Sequence, residues 1–334
     1  MKVLLTGATG FVGPQTAKAL ADAGHSVRAL VRETSDRSAL EALGIDIEYA
    51  IGDVCSEGPL AEALDGVDAV VHLAGTTKCV RREDYYRVNA YGSRLLAELA
   101  VAKGVSRFVH CSTLAVAGPM ANGRPVTEDD PPSPVSEYGK SKLAGEEAVR
   151  RHGARMEVTI VRPPIVYGPR DRDFFEVFKM AARGLGIRPG LLEAKKYSII
   201  HVEDLGRSLA LALDKGRSVK GMEGSEGVYY VSDGDVHRWD ELIRKAASAL
   251  GKENAVVLPV PEALAWPLGL WSDLAARLTG KPQIVSVDKV RESFGPGFAC
   301  SIERAQNELG YAPAWPVDKG MEHTARWYLD NEWL

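Results

Sequence analysis

Short apolar runs alternate with stretches of helical periodicity through the first half of the chain. The runs are rich in valine, leucine and isoleucine and are bounded by glycine or charged residues, which is typical of buried strands. They predict strands at residues 3–5, 26–31, 45–50, 69–73, 107–111 and 158–161. The stretches between them predict helices at residues 15–23, 36–43, 59–64, 83–103 and 138–151. Strands joined by helical crossovers pair in parallel, so the pattern predicts an α/β fold with a Rossmann-type, doubly wound parallel sheet covered on both faces.

A glycine-rich turn lies between the first predicted strand and the first predicted helix. It reads TGATGFVG at residues 6–13. Gly7 permits the tight turn, Gly10 lets the backbone approach a pyrophosphate, and Gly13 lets the helix pack against the strand. The free N–H groups of the first helical turn then face the phosphates. The turn therefore predicts a dinucleotide site, whose expected contacts here are Gly7, Thr9, Gly10, Phe11, Val12 and Gly13.

The pattern loosens after residue 168. Further helices are predicted at 174–183, 203–213, 239–250 and within 302–328, further strands at 199–202 and 227–232, and an apolar segment with helical spacing at 261–278. We expect residues 1–168, joined by strands returning from about 197–232, to form the dinucleotide-binding domain. Residues 169–196 and 233–334 are expected to form a smaller, mixed region that binds substrate.

Composition and charge exclude several classes of protein. The 334 residues have a net charge of −4, which gives no bias toward nucleic acid. No apolar run reaches the ~18 residues that span a bilayer. The four cysteines lack CxxC spacing, so we expect free thiols and no metal site. The first strand starts without a preceding signal peptide, so we expect a cytoplasmic protein. Peripheral contact with a membrane stays open.

Three polar side chains follow the glycine turn in an order that suits proton transfer. Thr113 lies just after the strand at 107–111, and Tyr138 and Lys142 lie one turn apart at the start of the helix at 138–151. A free tyrosine titrates near ~10, and a neighbouring ammonium lowers that pKa by favouring the phenolate. Tyr138 would then exchange a proton near neutral pH while Thr113 holds the substrate oxygen. Taken alone, Tyr138 is equally a helix-surface residue and Thr113 a strand-end cap.

With these motifs in place, the chain resembles the extended short-chain dehydrogenases/reductases. That group includes nucleotide-sugar epimerases and dehydratases, dihydroflavonol reductases and 3β-hydroxysteroid dehydrogenases, and the last two are the most similar in pattern. The matching stretches are TGATGFVG (6–13), GDV (52–54), HLAG (72–75), VNAYGS (88–93), FVHCSTLAVAG (108–118), YGKSK (138–142), RPPIVYGPR (162–170) and IIHVEDL (199–205). Thr113 replaces the commoner serine and keeps the hydroxyl, whereas Ala117 replaces a tyrosine that many members have.

The resemblance implies roles for individual residues. Thr113, Tyr138 and Lys142 would be the catalytic hydroxyl, acid/base and lysine, and Asn89 the helix asparagine of the catalytic set. The implied cofactor contacts are Asp53 and Val54 at the adenine, Ala74 and Gly75 at the phosphates or ribose, and Pro163, Ile165 and Val166 at the nicotinamide. The resemblance also implies a homodimer formed through a four-helix bundle of residues 83–103 and 138–151.

The end of the second predicted strand indicates which dinucleotide binds. NAD-preferring sites place an acidic residue there, on the ribose 2′-OH. Here Val31 occupies that position and Arg32 follows it, with Ser35 and Arg37 close behind. Because an arginine pairs with a phosphate through two hydrogen bonds, we expect NADP, held by Arg32, Ser35 and Arg37. The alternative is that Arg32 is a solvated surface residue and Glu33 contacts the ribose of NAD.

Two departures from the sugar-nucleotide members bear on the substrate. Pro164 stands where those members carry an asparagine, and Tyr197 stands where they carry an arginine for the diphosphate. Trp266 and Trp271, in the apolar segment, offer walls for an apolar pocket, or else they face the core. The expected substrate contacts are therefore Thr113, Pro164, Tyr197, Trp266 and Trp271.

These residues favour hydride transfer between the nicotinamide and a secondary alcohol or ketone. The expected small-molecule substrate is largely apolar and steroid-, flavonoid- or lipid-like. One alternative is a nucleotide-sugar epimerase or dehydratase, in which Lys195 or Lys196 supplies the missing charge. The other is a non-catalytic dinucleotide-binding protein on the same fold.

Overall fold

The chain is built around a parallel β-sheet. The structure, a computed structural model, describes residues 1–120, 123–191, 194–280 and 287–334. The strands in these residues are β1 Lys2–Thr6, β2 Ser26–Val31, β3 Ile47–Ile51, β4 Ala69–His72, β5 Arg107–Cys111, β6 Glu157–Arg162, β7 Ile165–Tyr167, β8 Leu185–Pro189, β9 Lys196–Tyr197, β10 Ile199–His201, β11 Val228–Tyr230, β12 His237–Arg238, β13 Val256–Val260 and β14 Gly297–Phe298.

Helices connect and cover these strands. The α-helices are α1 Gly13–Asp22, α2 Ser38–Glu41, α3 Glu57–Ala63, α4 Arg82–Tyr86, α5 Ser93–Ala102, α6 Glu137–Arg150, α7 Phe175–Ala181, α8 Val202–Lys215, α9 Trp239–Ser248, α10 Glu262–Thr279, α11 Val287–Phe294 and α12 Val317–Asp330. Shorter helical turns are the π-helical Arg87–Gly92 and Ala305–Leu309 and the 3₁₀ turn Leu114–Val116.

The main sheet has seven strands in the order β11-β6-β5-β4-β1-β2-β3. Every neighbouring pair in it is parallel. The doubly wound parallel sheet predicted from the sequence is confirmed. The chain adds β2 and β3 on one side of β1 and then β4, β5 and β6 on the other. In such sheets ligands bind in the crevice outside the carboxyl ends of the strands at this switch, here β1 and β4.

Helices cover both faces of the sheet because alternate residues of each strand point to opposite sides. On one face, Val3 and Leu5 of β1 pack with Leu20 of α1 and Leu209 of α8, all of them buried. On the other face, Leu4 and strand residues beside it pack with α3 and α5. The sheet is thus apolar on both sides, as the near-continuous apolar runs in the sequence require.

The second half of the chain adds a smaller cluster of helices and short strands. Tyr167, Phe178 of α7, Leu242 of α9, and Met321 and Tyr328 of α12 form its buried apolar centre. Small sheets pair β7 with β10, β9 with both β12 and β14, and β8 with β13. The division of the chain into a dinucleotide domain and a substrate region stays a prediction.

The predicted elements agree best where apolar runs are long. The strands predicted at 26–31 and 107–111 coincide with β2 and β5. The long helix predicted at 83–103 is instead α4, a π-helical turn at Arg87–Gly92, and α5. Such a turn accommodates an extra residue and often marks a functional site, and this one contains Asn89. Within the described parts of the chain, no helix combines the length and apolar character needed to cross a membrane.

Candidate active site

The glycine turn lies between the end of β1 and the start of α1, as predicted. Gly7 has φ of +70°, and a Cβ there would lie 2.7 Å from the backbone nitrogen of Ala74. A Cβ on Gly13 would lie 2.1 Å from the carbonyl oxygen of Ala8. Side chains are therefore excluded at both positions by backbone contact. Gly10 is exposed and its N–H donates to the Gly7 carbonyl at 3.0 Å, so backbone without a side chain faces the crevice there.

The remaining predicted phosphate and adenine contacts surround this turn. Thr9, Phe11 and Val12 are half-buried beside it. Across the crevice, a Cβ on Gly75 would lie 3.1 Å from Asn89 Oδ1 and 3.7 Å from Lys142 Nζ. A side chain at Gly75 would therefore press on Asn89, and Gly10 exposes backbone without a side chain on the first turn. These residues fit a dinucleotide cofactor.

The residues on which the NADP prediction rests lie at the end of β2. Val31 is buried, and Arg32 follows it with an exposed side chain. The backbone N–H of Arg32 donates to Ser35 Oγ at 3.2 Å, which closes a tight turn. The guanidinium of Arg37 lies 5.0 Å from the centre of the Tyr49 ring.

The predicted adenine-side residues follow β3. Asp53 Oδ1 accepts the N–H of Cys55 at 2.8 Å, and Val54 is buried. Asp53 is therefore held by its own turn, with its backbone at the edge of the crevice.

Tyr138 and Lys142 lie at the start of α6, whose first turn is capped by Ser136. The Ser136 hydroxyl oxygen accepts the N–H of Gly139 at 3.1 Å. The Lys142 ammonium donates to the carbonyl oxygen of Cys111 at 2.7 Å, so the helix is tied to the end of β5, directly before Thr113. The structure brings Thr113, Tyr138 and Lys142 together as predicted.

The protonation of this trio differs in one respect from expectation. Burial raises the pKa of Tyr138 above its usual range, although a hydrogen bond with the Thr113 hydroxyl acts in the opposite direction. The expected lowering of that pKa is therefore not observed, because removing the phenolate from water outweighs the favourable contacts. Burial also lowers the pKa of Lys142. Burial is therefore the largest influence on the pKa of both groups.

Asn89 joins the loop after β4 to the catalytic helix. Its side-chain oxygen accepts the N–H of Thr76 at 2.8 Å, and its Nδ2 donates to the Thr76 carbonyl at 3.0 Å and to Ser141 Oγ at 2.9 Å. Ser141 Oγ in turn donates to the Tyr138 carbonyl at 2.7 Å. Asn89 is fully buried, so it positions the helix that carries Tyr138.

A buried chain of polar groups continues from Asn89 to β1, and sequence reasoning missed it. Ser93 Oγ donates to the Asn89 carbonyl at 2.7 Å, His72 Nε2 donates to Ser93 Oγ at 2.9 Å, and Thr6 Oγ1 donates to His72 Nδ1 at 2.7 Å. Burial lowers the pKa of His72 to about 3, so the ring is neutral with its proton on Nε2. The only sequence signal was the HLAG motif at residues 72–75.

A buried ion pair holds α6 one turn beyond Lys142. Arg162 Nε and Nη2 donate to the two carboxylate oxygens of Glu146 at 2.9 and 2.7 Å, and Arg162 Nη1 donates to the Tyr230 hydroxyl at 3.0 Å. Burial alone would raise the pKa of Glu146, but the Arg162 guanidinium outweighs it and holds that pKa below its usual value. This pair was not predicted.

The predicted substrate contacts are placed unequally. Tyr197 is buried and its ring lies 5.4 Å from that of Trp239. Pro164 is half-buried beside β7, which contains Ile165 and Val166. Trp266 is half-buried. Pro164, Tyr197 and Trp266 therefore stay predicted substrate contacts.

Trp271 lies elsewhere than expected. Its side chain is 70% exposed, so it does not form a wall of an enclosed pocket. The physical reason lies on the inner side of α10, where the small residues Ala265, Gly269 and Ala276 are buried. A close inner contact through small residues leaves the large apolar side chains facing outward.

One aromatic residue and one acidic residue near Tyr138, Tyr85 and Asp288, were also not predicted. The Tyr85 ring lies 6.3 Å from that of Tyr138, and its hydroxyl donates to the Thr77 carbonyl at 3.3 Å. Asp288 Oδ2 of α11 accepts the N–H of Glu137 at 2.9 Å. Tyr138 is therefore flanked by α4 and by α11.

One group of possible metal ligands lies away from this site. Among the described residues, His201, Glu203 and His323 have ligand atoms within 4.8 Å of one another. The backbone N–H of Glu203 donates to His201 Nδ1 at 3.4 Å, so the proton of the neutral His201 ring is on Nε2, which lies 3.4 Å from His323 Nδ1. Trp315 stacks on both rings.

Comparisons with known proteins identify the family of the chain. The sequence profile of the NAD dependent epimerase/dehydratase family matches residues 3–225. The chain belongs to this family. Its fold and family make it an NAD(P)-dependent enzyme of the reductase and epimerase group, as the motifs predicted.

Individual relatives in this family have different names. The chain is 33% identical over 339 residues to the ceramide reductase of Caulobacter vibrioides, covering 99% of this chain and 96% of that protein. It is 27% identical to the UDP-glucose 4-epimerase of Vibrio cholerae, covering 98% and 95%. Its structure is similar to that of DesIV, a dTDP-glucose 4,6-dehydratase from Streptomyces venezuelae with NAD bound, with a TM-score of 0.80, 25% identity and coverage of 99% and 98%.

Proposed function

We propose that this enzyme uses NADP to transfer a hydride to or from a secondary alcohol or ketone on a largely apolar small molecule. The observation that supports the chemistry is the assembly of Thr113, Tyr138 and Lys142 at the carboxyl ends of the strands, across the crevice from the glycine turn. This arrangement is intact, which argues against a non-catalytic binding protein.

The proposed roles follow from chemistry that each group can perform. A bound nicotinamide supplies or takes up the hydride. In the direction of reduction, the Tyr138 hydroxyl donates its proton to the substrate oxygen as the carbonyl carbon is reduced. The Thr113 hydroxyl holds that oxygen in place, and the Lys142 ammonium holds the ribose and stabilises the phenolate that forms. In oxidation the same groups act in reverse.

The proposal of NADP rests on the end of β2. An exposed guanidinium at Arg32, with Ser35 in the same turn and Arg37 two residues further along the chain, suits a 2′-phosphate. The buried Val31 offers the ribose no carboxylate. Glu33, also exposed, is the residue through which NAD would bind instead.

The proposal of an apolar substrate rests on Pro164 and Tyr197. A diphosphate buried beside these side chains would lack charged partners, at a cost of several kcal/mol. The relative named for ceramide acts on a lipid according to its name, which supports the same substrate class. In the nucleotide-sugar alternative, the missing positive charge would come from Lys195, which is half-buried, or Lys196, which is exposed.

A substrate screen tests the proposal. The NADPH-loaded protein is titrated with apolar ketones, including a 3-ketosteroid and a long-chain keto-lipid. The protein loaded with the oxidised cofactor is titrated with UDP- and dTDP-sugars. We expect binding of a ketone together with loss of NADPH absorbance. Micromolar binding of a sugar nucleotide, with its epimers interconverted and the cofactor returned unchanged, would overturn the proposal in favour of an epimerase.

A further inference from the structure

Helix α10 presents an uncharged, apolar side to the outside of the protein. Six large apolar side chains on it are between 49% and 81% exposed: Leu264, Leu268, Leu270, Trp271, Leu274 and Leu278. Ala263 and Pro267 are exposed between them. At 100° per residue these positions share an arc of about 160°, and no charged residue falls within it.

The orientation of α10 follows from the small residues on its inner side. Ala265, Gly269 and Ala276 are buried, and the helix packs against α11. A helix on a water-exposed surface normally turns its large apolar side chains inward. Here the small residues face inward and the leucines and the tryptophan face outward, which is the arrangement of a helix whose outer surroundings are apolar.

The strand pair that leads into α10 repeats this arrangement. Leu185 and Ile187 of β8 lie beside Val256 and Leu258 of β13 in the parallel register, so the four side chains share one face of the pair. Each is close to half exposed. Since β13 ends at Val260 and α10 begins at Glu262, two consecutive elements turn apolar residues outward. Monomeric proteins rarely expose apolar patches of this extent without a binding role.

Two cations border the strand pair. Arg183 precedes β8 and Lys252 precedes β13, at the same end of the two parallel strands, and both side chains are exposed. Neither forms an ion pair with another residue of the described ranges. An uncharged apolar centre with unpaired cations at its rim complements a lipid surface with negatively charged headgroups.

We propose that α10 and the β8–β13 pair, together called the apolar face, dock the protein on the surface of an anionic lipid bilayer. The docked helix adjoins the active site, because α10 packs on α11 and Asp288 of α11 caps α6 one residue before Tyr138. Membrane docking would therefore place the catalytic tyrosine near a membrane-dissolved substrate. This last step rests on the proposed function, whereas docking itself does not.

Vesicle flotation of the full chain with NADPH bound tests the proposal. The vesicles are phosphatidylcholine alone and phosphatidylcholine with phosphatidylglycerol. We expect the protein to float with the anionic vesicles, more weakly with the neutral ones, and less as salt is raised. In the variant Leu264→Glu/Leu268→Glu, the vesicle-bound fraction should fall about tenfold or more because two charges enter the apolar arc.

A matched variant and two further readouts separate the explanations. Met222→Glu adds a charge at another exposed apolar side chain, which is 47% exposed in the loop before β11, and it should float like the unaltered protein. Both variants should bind NADPH normally, which shows that they are folded. The Tyr138→Phe variant should float normally even if the proposed reaction is wrong.

Three results would overturn the proposal. The unaltered protein could stay in the soluble fraction with every vesicle. The Leu264→Glu/Leu268→Glu and Met222→Glu variants could lose vesicle binding equally. Sedimentation could show that the apolar face holds two copies together, with the first variant becoming smaller and vesicle binding absent.

Discussion

The ion pair between Glu146 and Arg162 allows a quantitative test of how the catalytic helix is held. The side chains are 0% and 3% exposed and share two hydrogen bonds. Glu146→Gln keeps the shape of the side chain and removes its charge, which leaves the buried guanidinium with an amide and the Tyr230 hydroxyl. Breaking a buried pair from one side costs about 3–5 kcal/mol. We expect the free energy of unfolding to fall by that amount.

Urea unfolding followed by far-UV circular dichroism measures this change. Glu146→Leu/Arg162→Met, which removes both charges, should be closer in stability to the unaltered protein than Glu146→Gln, because no buried charge is left unpaired. The control is Asp22→Asn, which breaks the exposed pair of Asp22 with Lys18 and should cost about 0.5 kcal/mol or less. A loss for Glu146→Gln no larger than that of the control would refute the reasoning.

The same pair predicts a pH dependence with a definite sign. The pKa of Glu146 is held below its usual value in the folded protein, so its stabilising effect is complete above the unfolded pKa of about 4.3. That effect is lost as the pH falls through the lower, folded value. Stability should therefore fall more steeply with acid in the unaltered protein than in Glu146→Gln. Parallel pH profiles would contradict this account of the pair.

Three further substitutions test the cofactor and positioning residues. Arg32→Ala should weaken NADPH binding by roughly 1.5–3 kcal/mol, because a hydrogen bond to a charged group is lost, and should leave the affinity for NADH little changed. Equal affinities of the unaltered protein for the two cofactors would count against an NADP site. Asn89→Ala removes three hydrogen bonds made by a buried side chain. It should cost roughly 2–4 kcal/mol of unfolding free energy, measured by calorimetry, and slow turnover, measured by kinetics. Gly7→Ala places a Cβ against Ala74 at a φ of +70°. It should lower the free energy of unfolding by about 1–3 kcal/mol and weaken cofactor binding, as measured by titration. Unchanged binding would mean that the turn does not hold the phosphates.

The sequence predicted the main sheet well because its strands are buried on both faces. Runs such as residues 26–31 and 107–111 are apolar enough to be located without knowledge of their neighbours. The glycine turn and the spacing of Tyr138 and Lys142 are also local patterns, so they can be predicted from short stretches of sequence. Their place at one edge of the sheet followed from the fold class alone.

The missed features depend on residues that are far apart in the chain. His72 bonds to Thr6 across 66 residues, and Arg162 pairs with Glu146 from another element, so neither contact has a periodic signal. The spacing of Trp271 and its leucine neighbours correctly predicted a helix with an apolar side. It did not predict which way that side faces, because periodicity is the same for a helix turned inward or outward.

The proposed reaction depends on exchange of a proton between Tyr138 and the substrate oxygen. The decisive measurement is kcat for NADPH oxidation by Tyr138→Phe with a ketone that the unaltered protein reduces, alongside its Kd for NADPH. Tyr85→Phe serves as the control, since that ring lies 6.3 Å from the Tyr138 ring and has no proposed role in proton transfer. We predict that kcat of Tyr138→Phe falls at least about a hundredfold with an unchanged Kd, while Tyr85→Phe keeps most of its activity. A near-normal kcat for Tyr138→Phe would contradict the account.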